Sequence, residues 1–353
     1  MSRFFSKKYD NLIPYVPGEQ PQERKYIKLN TNESPFAPSK FAIKLAKAQL
    51  KKLNLYSDPD QKVLTSVLAK KYGVKESQVI LTNGSDEVLN FCFMAYCDEK
   101  TPAIFPDITY GFYKVFADLN RIDYEEIPLK DDLSLDVNDY MDKKGTIFIA
   151  NPNAPTGKAV ALSDIEKLVN HNKDRIVVID EAYVDFGGES AVKLVDKYDN
   201  LIVTQTFSKS RQMAGARLGF GIANEAIISD LNAIKFSTNP YNVNRMTALS
   251  GVGAILDEQY FSKCCQKIIE NRLWTKENLE QLGFNVLDSK TNFLFITHPK
   301  ISGENLYTAL KEQGILVRHF KNERIKDYNR VTIGDKKQMK IFIEKIKQIM
   351  EDK

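Results

Sequence analysis

The most informative stretch of the sequence is Thr206-Phe207-Ser208-Lys209-Ser210-Arg211-Gln212-Met213-Ala214-Gly215-Ala216-Arg217. It follows a short apolar run, and Asp180 closes an earlier run of the same kind. A lysine amine can form a Schiff base with an aldehyde, hydroxyls and a guanidinium can bind a phosphate dianion, and a buried carboxylate can pair with a protonated pyridine nitrogen. These groups together predict a site for pyridoxal 5'-phosphate, with Lys209 as the Schiff-base lysine and Asp180 as the partner of the ring nitrogen.

The residues around Lys209 strengthen this prediction. An arbitrary lysine is ordinarily a solvated surface amine, but this one lies between Thr206, Ser208 and Arg217, three side chains suited to phosphate. Once the substrate amine displaces it, Lys209 is the natural group to move a proton between the substrate carbon and the cofactor carbon. Tyr183 follows Asp180 closely and either donates to the ring oxygen or only packs.

Short β-branched runs at 147–150, 176–179 and 201–203 are separated by helical segments such as 163–172. This alternation is typical of a mostly parallel sheet with helices on both faces, in which strand ends carry the functional residues. The sequence therefore predicts an α/β fold with Asp180 and the loop 206–209 at neighbouring strand ends.

The last third of the chain has a different pattern. A long helix over 261–282 precedes strand candidates at 292–296, 314–320 and 330–333, and a lysine-rich helix closes the sequence. We interpret this segment as a smaller α+β domain that also takes the N-terminal arm. The predicted division is a large cofactor-binding domain over 46–255 and a small domain formed by 1–45 and 256–353.

Composition excludes several classes of function. The 353 residues are 43% hydrophobic and 27% charged, and the formal net charge of +4 is spread along the chain, which argues against a nucleic-acid partner. No apolar run reaches about eighteen residues, so no membrane span is predicted, and the first residues lack the apolar core of a signal peptide. The histidines and cysteines lack metal-ligand spacing, so no metal is predicted. We expect a cytoplasmic protein.

Two further motifs have both a structural and a functional interpretation. The stretch Asn83-Gly84-Ser85-Asp86-Glu87 precedes an apolar helix, so it is either an ordinary helix start or an anion site built on free backbone amides. The stretch Asn151-Pro152-Asn153-Ala154-Pro155-Thr156-Gly157 follows a strand and is either a turn or the position of an asparagine that donates to the ring oxygen. Their order beside the lysine loop favours the functional interpretation.

These motifs recur in order with others at 28–39, 56–59, 292–293, 317–318 and 330–334. Together they resemble the class I/II, fold-type-I pyridoxal-phosphate-dependent aminotransferases over nearly the whole chain. The resemblance implies a large domain with a mostly parallel seven-stranded sheet between helices, plus a smaller α+β domain. It also implies a homodimer with shared active sites and no nucleic-acid or membrane partner.

The resemblance implies a role for several side chains. Tyr110 would stack on the cofactor ring, and Tyr183 would donate to the ring oxygen. The backbone amides of Ser85 and Asp86 would bind the cofactor phosphate with Thr206, Ser208 and Arg217, and Tyr56 would reach that phosphate from the neighbouring subunit. Three positions would bind substrate: Tyr15, Arg318 and Arg330.

The chain departs from the family pattern at two positions. The family usually has an asparagine immediately before Pro-Thr-Gly as the ring-oxygen donor, and this chain has Ala154 there. Either Asn153 replaces it through a backbone shift or Tyr183 carries the contact alone. Ser34 stands where the family commonly has asparagine. Neither departure touches Lys209 or Asp180.

Among the family members, the resemblance is strongest to those that transfer the amino group of L-histidinol phosphate to 2-oxoglutarate, a step of histidine biosynthesis. The alternatives are an aminotransferase for aromatic or other amino acids and a threonine-phosphate decarboxylase, which would release carbon dioxide without an oxo-acid. Transcription regulators that contain an aminotransferase-like domain are disfavoured because the chain has no residues to spare for a DNA-binding domain.

Overall fold

The computed structural model describes residues 2–10, 12–21 and 23–351. The strands, in chain order, are β1 Ile27–Lys28, β2 Val79–Thr82, β3 Ala103–Pro106, β4 Tyr124–Ile127, β5 Thr146–Ala150, β6 Val177–Asp180, β7 Leu201–Thr206, β8 Gly219–Ile222, β9 Asn285–Val286, β10 Phe293–Thr297, β11 Ile315–Leu316, β12 Arg318–His319 and β13 Asn329–Thr332. The helices are α1 Lys40–Lys47, α2 Lys62–Tyr72, α3 Ser85–Tyr96, α4 Phe112–Asn120, α5 Leu162–His171, α6 Glu225–Thr238, α7 Arg245–Leu256, α8 Glu258–Gln281, α9 Gly303–Glu312 and α10 Lys336–Glu351.

The largest sheet has seven strands in the order β2-β8-β7-β6-β5-β3-β4. All neighbours pair in parallel except β8, which is antiparallel to both β2 and β7. Every residue of β5, β6 and β7 is buried, because helices cover both faces of these strands. This confirms the predicted α/β fold and its mostly parallel sheet.

The C-terminal part of the chain forms an antiparallel sheet in the order β12-β13-β10-β9. The predicted strand segments at 292–296 and 330–333 overlap β10 and β13 to within one residue at each end, and the segment 314–320 contains the short strands β11 and β12. Helices α8, α9 and α10 flank this sheet, and a second hydrophobic core includes Phe293, Leu306 and Phe342. The domain boundaries near 45 and 255 stay predictions.

The N-terminal segment joins the C-terminal sheet to the large one. Strand β1 pairs in parallel with β11, and the amide of Thr332 donates to the carbonyl of Leu29. The segment 30–33 then runs along the edge of the cavities described below. Among the helices of the described residues, none is both long and apolar enough to span a membrane.

Candidate active site

Neighbouring strand ends bring the predicted residues together at the carboxyl edge of the large sheet. In the strand register, Ala150 at the end of β5 lies beside Asp180 at the end of β6, which lies beside Thr204 in β7. Lys209 lies in the loop that follows β7. Together with the start of α3, these ends enclose a cavity of about 330 Å³. Parallel sheets typically bind ligands at this edge.

Asp180 lies at the floor of the cavity and is 4% exposed. Its carboxylate accepts hydrogen bonds from the hydroxyl of Tyr113 and the amide of Ala182, both at 3.2 Å. Burial raises the pKa of Asp180 to about 7, and the two hydrogen bonds only partly oppose that effect. A cation bound in the cavity would therefore stabilise the charged form of this carboxylate.

The opposite corner of the cavity collects groups that suit an anion. Helix α3 begins at Ser85 after Gly84, whose φ is +80°. The first amides of a helix have no partner within it and point toward its positive end. Arg217 donates to Ser208 Oγ at 3.3 Å and to Asp86 Oδ2 at 3.0 Å. The helix start and the lysine loop thus converge on one point.

Tyr110 forms one wall of the cavity. Its hydroxyl donates to Asp86 Oδ1 at 2.7 Å, and its ring meets the ring of Tyr113 edge to face with 5.7 Å between centroids. Burial raises the pKa of Tyr110 well above its ordinary value, so the phenol stays neutral and can donate. The ring is fixed at its polar end and against Tyr113.

Lys209 lies where this cavity meets a second one of about 480 Å³. Lys209, Tyr110, Tyr183, Thr31 and Ala154 line both cavities. The Lys209 amine is 3.4 Å from the carbonyl oxygen of Thr31 and 5.8 Å from the centre of the Tyr183 ring. A group attached to this amine can therefore contact either space.

Two arginines line the second cavity. Arg330 donates to the carbonyl of Asn30 at 3.0 Å, and burial lowers its pKa, although a guanidinium keeps its charge in proteins. Arg318 donates weakly to the carbonyls of residues 16 and 17 at 3.3 and 3.4 Å. Tyr15 stacks on Phe112 with 4.3 Å between ring centroids. All three predicted substrate residues therefore lie on one cavity.

Two predicted cofactor residues lie outside both cavities. The amide of Asn153 donates to the carbonyl of Ile108 and to Thr156 Oγ1, and its oxygen accepts from the Thr109 hydroxyl. The Asn153 side chain is therefore fully used in fixing its own loop. At the next position, Ala154 presents only a methyl group to the cavities.

Tyr56 is the second residue that its own chain keeps away from the site. Its side chain is 77% exposed, and its ring stacks on Tyr241 with 4.4 Å between centroids. Arg245 donates to the Tyr56 carbonyl at 2.6 Å, which fixes the backbone, and the contact with Tyr241 holds the ring at the surface.

Two residues of the site had no assigned role in the sequence. Tyr113 donates to Asp180 from helix α4, and Asn32 Nδ2 donates to the hydroxyl of Tyr183 at 2.9 Å. Asn32 lies within the motif at 28–39, and this motif is the sequence signal that could have indicated it as a site residue. No local pattern indicates Tyr113, because its aromatic neighbours make it resemble an ordinary core residue.

Comparison with known proteins identifies the family. Residues 24–346 match the family described as aminotransferase class I and II. The chain is 50% identical to the histidinol-phosphate aminotransferase of Brachyspira hyodysenteriae over 100% of both chains, and 47% identical to that of Clostridium acetobutylicum over 99% of both. A solved histidinol-phosphate aminotransferase from Sinorhizobium meliloti, in complex with pyridoxal-5'-phosphate, has a TM-score of 0.86 at 20% identity, covering 93% of this chain and 92% of that one. The chain belongs to the class I and II aminotransferases.

Proposed function

We propose that this protein is a pyridoxal-phosphate-dependent aminotransferase that transfers the amino group of L-histidinol phosphate to 2-oxoglutarate, with Lys209 as the cofactor lysine. The supporting observation is that Lys209 lies between one cavity with an anion corner and a buried carboxylate and another cavity with two arginines. The substrate assignment is further supported by full-length relatives that bear the name histidinol-phosphate aminotransferase.

The residues present fit the cofactor. Asp180 is a carboxylate whose pKa is raised by burial, and a protonated pyridine nitrogen would supply a cation that stabilises its charged form. Arg217, Ser208, Thr206 and the first amides of α3 form a donor set suited to a phosphate dianion. Tyr110 offers a fixed aromatic face at the wall between these two ends.

Each residue then has a defined task in the reaction. When bound, the cofactor withdraws electrons from the substrate carbon that carries the amino group. Asp180 would keep the pyridine nitrogen protonated through its negative charge, and Tyr183 would donate to the ring oxygen. Once displaced by the substrate amine, the Lys209 amine would be free to act as the acid-base group that moves the substrate proton. Its location where the two cavities meet suits that role.

The charge of the second cavity supports anionic substrates. Among the lining residues of the described chain, the cations are Lys114, Lys209, Arg318 and Arg330, and the carboxylate is Asp107, which is ion-paired with Arg324. We propose that Arg330 receives the carboxylate of the oxo-acid, and that Arg318 and Tyr15 receive the substrate phosphate. Two anionic partners that use one site in turn require such an excess of positive charge.

Half-reactions followed by absorbance test this proposal. L-histidinol phosphate should abolish the visible absorbance band of the lysine-bound cofactor, and 2-oxoglutarate should then restore it. Lys209→Ala should abolish the band itself. Lys193→Ala, which removes an exposed lysine paired with Glu189, is the control and should leave it unchanged.

Other outcomes separate the alternatives. A band that L-histidinol phosphate leaves unchanged would keep the cofactor assignment and remove the substrate assignment. Aromatic amino acids would then be tested as donors. Release of carbon dioxide from threonine phosphate without an oxo-acid would identify a decarboxylase instead.

We also propose a homodimer with shared active sites and a cytoplasmic location. The dimer is supported by Tyr56, which is exposed and lies outside the cavities of its own chain. Exposed apolar side chains lie close to it in sequence at Leu50, Leu53 and Leu55. Exposed apolar clusters of this kind are typical of protein interfaces.

A further inference from the structure

A chain of buried hydrogen bonds joins Tyr183 to strand β13. The backbone amide of Asn32 donates to Thr332 Oγ1 at 2.9 Å, and the Thr332 hydroxyl lies 3.0 Å from the side-chain oxygen Asn32 Oδ1. Asn32 Nδ2 in turn donates to the Tyr183 hydroxyl oxygen at 2.9 Å. Asn32 and Thr332 are only 1% and 2% exposed. Water therefore does not compete with the contacts between Asn32 and Thr332.

Each hydrogen bond of this chain has a defined direction. The backbone amide of Asn32 can only donate, so it uses the Thr332 oxygen as an acceptor, and the Thr332 hydroxyl donates its single proton to Asn32 Oδ1. With the side-chain oxygen of Asn32 facing Thr332, the side-chain nitrogen faces Tyr183. Tyr183 must then accept from Asn32, because an amide NH₂ has no acceptor.

We propose that Asn32, oriented by Thr332, is a positioning residue that directs the Tyr183 hydroxyl proton toward the ring oxygen of the bound cofactor. Within the described residues the Tyr183 hydroxyl donates to no protein group, and Tyr183 lines both cavities. Its proton is consequently free for a ligand. This inference rests on the proposed function, since it assumes the cofactor in the smaller cavity.

The hydrogen bonds of Asn32 matter because neither Ala154 nor Asn153 can donate to the ring oxygen. Ala154 lines both cavities but has no donor, and the amide of Asn153 is occupied within its own loop. Tyr183 is thus the side chain left to donate to the ring oxygen. A tyrosine that could instead rotate its proton toward an Asn32 oxygen would leave the ring oxygen without a donor, and the orientation set by Thr332 prevents that.

The backbone of Asn32 is also fixed for this purpose. Its φ is +55°, a left-handed conformation that asparagine tolerates better than most residues, and its carbonyl accepts from Asn292 Nδ2 at 3.0 Å. Nine charged residues line the cavities together with Tyr183: Glu33, Asp86, Asp107, Lys114, Asp180, Lys209, Arg217, Arg318 and Arg330. None of them is altered when Thr332 is changed, so their effect on the cofactor is constant in the test below.

The test is a pH titration of the visible absorbance of the cofactor-loaded enzyme. A hydrogen bond to the ring oxygen stabilises the form of the lysine–cofactor linkage that has lost its proton. Thr332→Val frees the side-chain amide of Asn32 to rotate, so that Tyr183 can donate to its oxygen and no longer to the ring oxygen. The pH midpoint at which the lysine–cofactor linkage loses its proton should therefore rise by about one pH unit, as expected for one lost hydrogen bond. Thr332→Ser keeps the hydroxyl and should retain the wild-type midpoint.

Two further variants make the result specific. In a Tyr183→Phe background, Thr332→Val should produce no additional shift, because the effect passes through the tyrosine hydroxyl. Thr146→Val removes a buried threonine hydroxyl at the start of β5, a residue that lines neither cavity, and is the matched control. An unchanged midpoint in Thr332→Val, or an equal shift in the Tyr183→Phe background, would overturn the inference. A wild-type protein without any cofactor band would instead overturn the proposed function.

Discussion

The carboxyl group of Asp180 gives a pH-dependent prediction. Burial raises its pKa to about 7, so without cofactor the folded protein holds a proton that the unfolded chain releases at lower pH. The stability from this proton is complete at acid pH and is lost as the pH rises through about 7. Asp180→Asn should therefore stabilise the cofactor-free protein by about 2–4 kcal/mol above pH 7 and have little effect below about pH 4. Urea unfolding across this pH range measures it.

The neighbouring residue Glu181 must be separated from this effect. Burial raises its pKa to about 7 as well, but it is present in both proteins, so the difference between variant and wild type reports Asp180 alone. With cofactor bound, the order should reverse, because the variant loses the partner of the pyridine nitrogen. A stability difference that is the same at every pH would contradict the prediction.

Gly84 allows a test of the anion corner. A Cβ atom at this position would lie 2.6 Å from Arg217 Nη2, and its φ of +80° is unfavourable for alanine. Gly84→Ala should cost about 1–2 kcal/mol in backbone strain and also displace the arginine, which weakens cofactor binding. Unfolding and cofactor titration measure the two effects.

Gly73 is the matched control for that experiment. Its φ is +69°, but no atom lies within 4 Å of a Cβ built there. Gly73→Ala should therefore lose no cofactor affinity, and it should lose less stability than Gly84→Ala, because the ψ of 30° at Gly73 is left-handed helical whereas the ψ of 165° at Gly84 is nearly restricted to glycine. Equal affinity losses in both variants would mean that the contact with Arg217 does not matter.

Individual residues differ in how far the sequence reveals them. Lys209, Asp180 and Arg217 could be predicted because their chemistry stands out against their local surroundings, and the structure brings them to one cavity. Asn32 and Tyr113 act on residues far away in the chain, so only the folded structure shows their partners. The position of the Asn153 side chain likewise depends on the loop at 108–109, which no local pattern indicates.

Among the secondary-structure elements, the contact between α1, which contains Ala42, and α7, which contains Gly251 and Gly253, gives a further prediction. A Cβ at Gly253 would lie 2.6 Å from the Cα of Ala42, a backbone atom, whereas a Cβ at Gly251 would meet the side-chain ends of Leu218 and Leu64. Leucine ends can rotate and a helix backbone cannot. Gly253→Ala should therefore destabilise the protein by about 1–3 kcal/mol more than Gly251→Ala, as expected for overpacking. Thermal unfolding of the two variants measures this, and equal costs would contradict it.

Three strands of the large sheet were predicted from the sequence and strand β8 was not, because their compositions differ. Strands β5, β6 and β7 each contain a short apolar run, at 147–150, 177–179 and 201–203, and were predictable from residue type. Strand β8 contains Gly219 and Gly221, which a sequence pattern places in a loop. A Cβ at Gly219 would lie 2.3 Å from the Ser85 amide nitrogen, so this glycine lets α3 approach the sheet. The same close approach brings the helix start to the anion corner.

At the scale of the whole molecule, Tyr56 is one of several exposed apolar side chains, and the proposed homodimer would cover it. Tyr56 and Tyr241 stack on each other at the surface, and Val63 and Phe236 are 58% and 46% exposed. In the proposed homodimer, each Tyr56 would reach the cofactor phosphate in the partner's site. Each active site would then depend on residues of two chains, and this dependence can be measured.

Mixing two defective variants tests the shared site. Lys209→Ala should be inactive, and Tyr56→Phe should bind cofactor weakly because its hydroxyl is missing. In a mixed dimer, the site that keeps Lys209 receives its tyrosine from the other chain and is intact. Equal mixing with free exchange should therefore restore about a quarter of the native sites, since half of the dimers are mixed and each has one intact site. Activity at limiting cofactor measures this restoration, with each variant incubated alone as the control. If activity does not rise after subunit exchange, Tyr56 serves only its own chain or the protein is not a dimer, and sedimentation velocity distinguishes these two explanations.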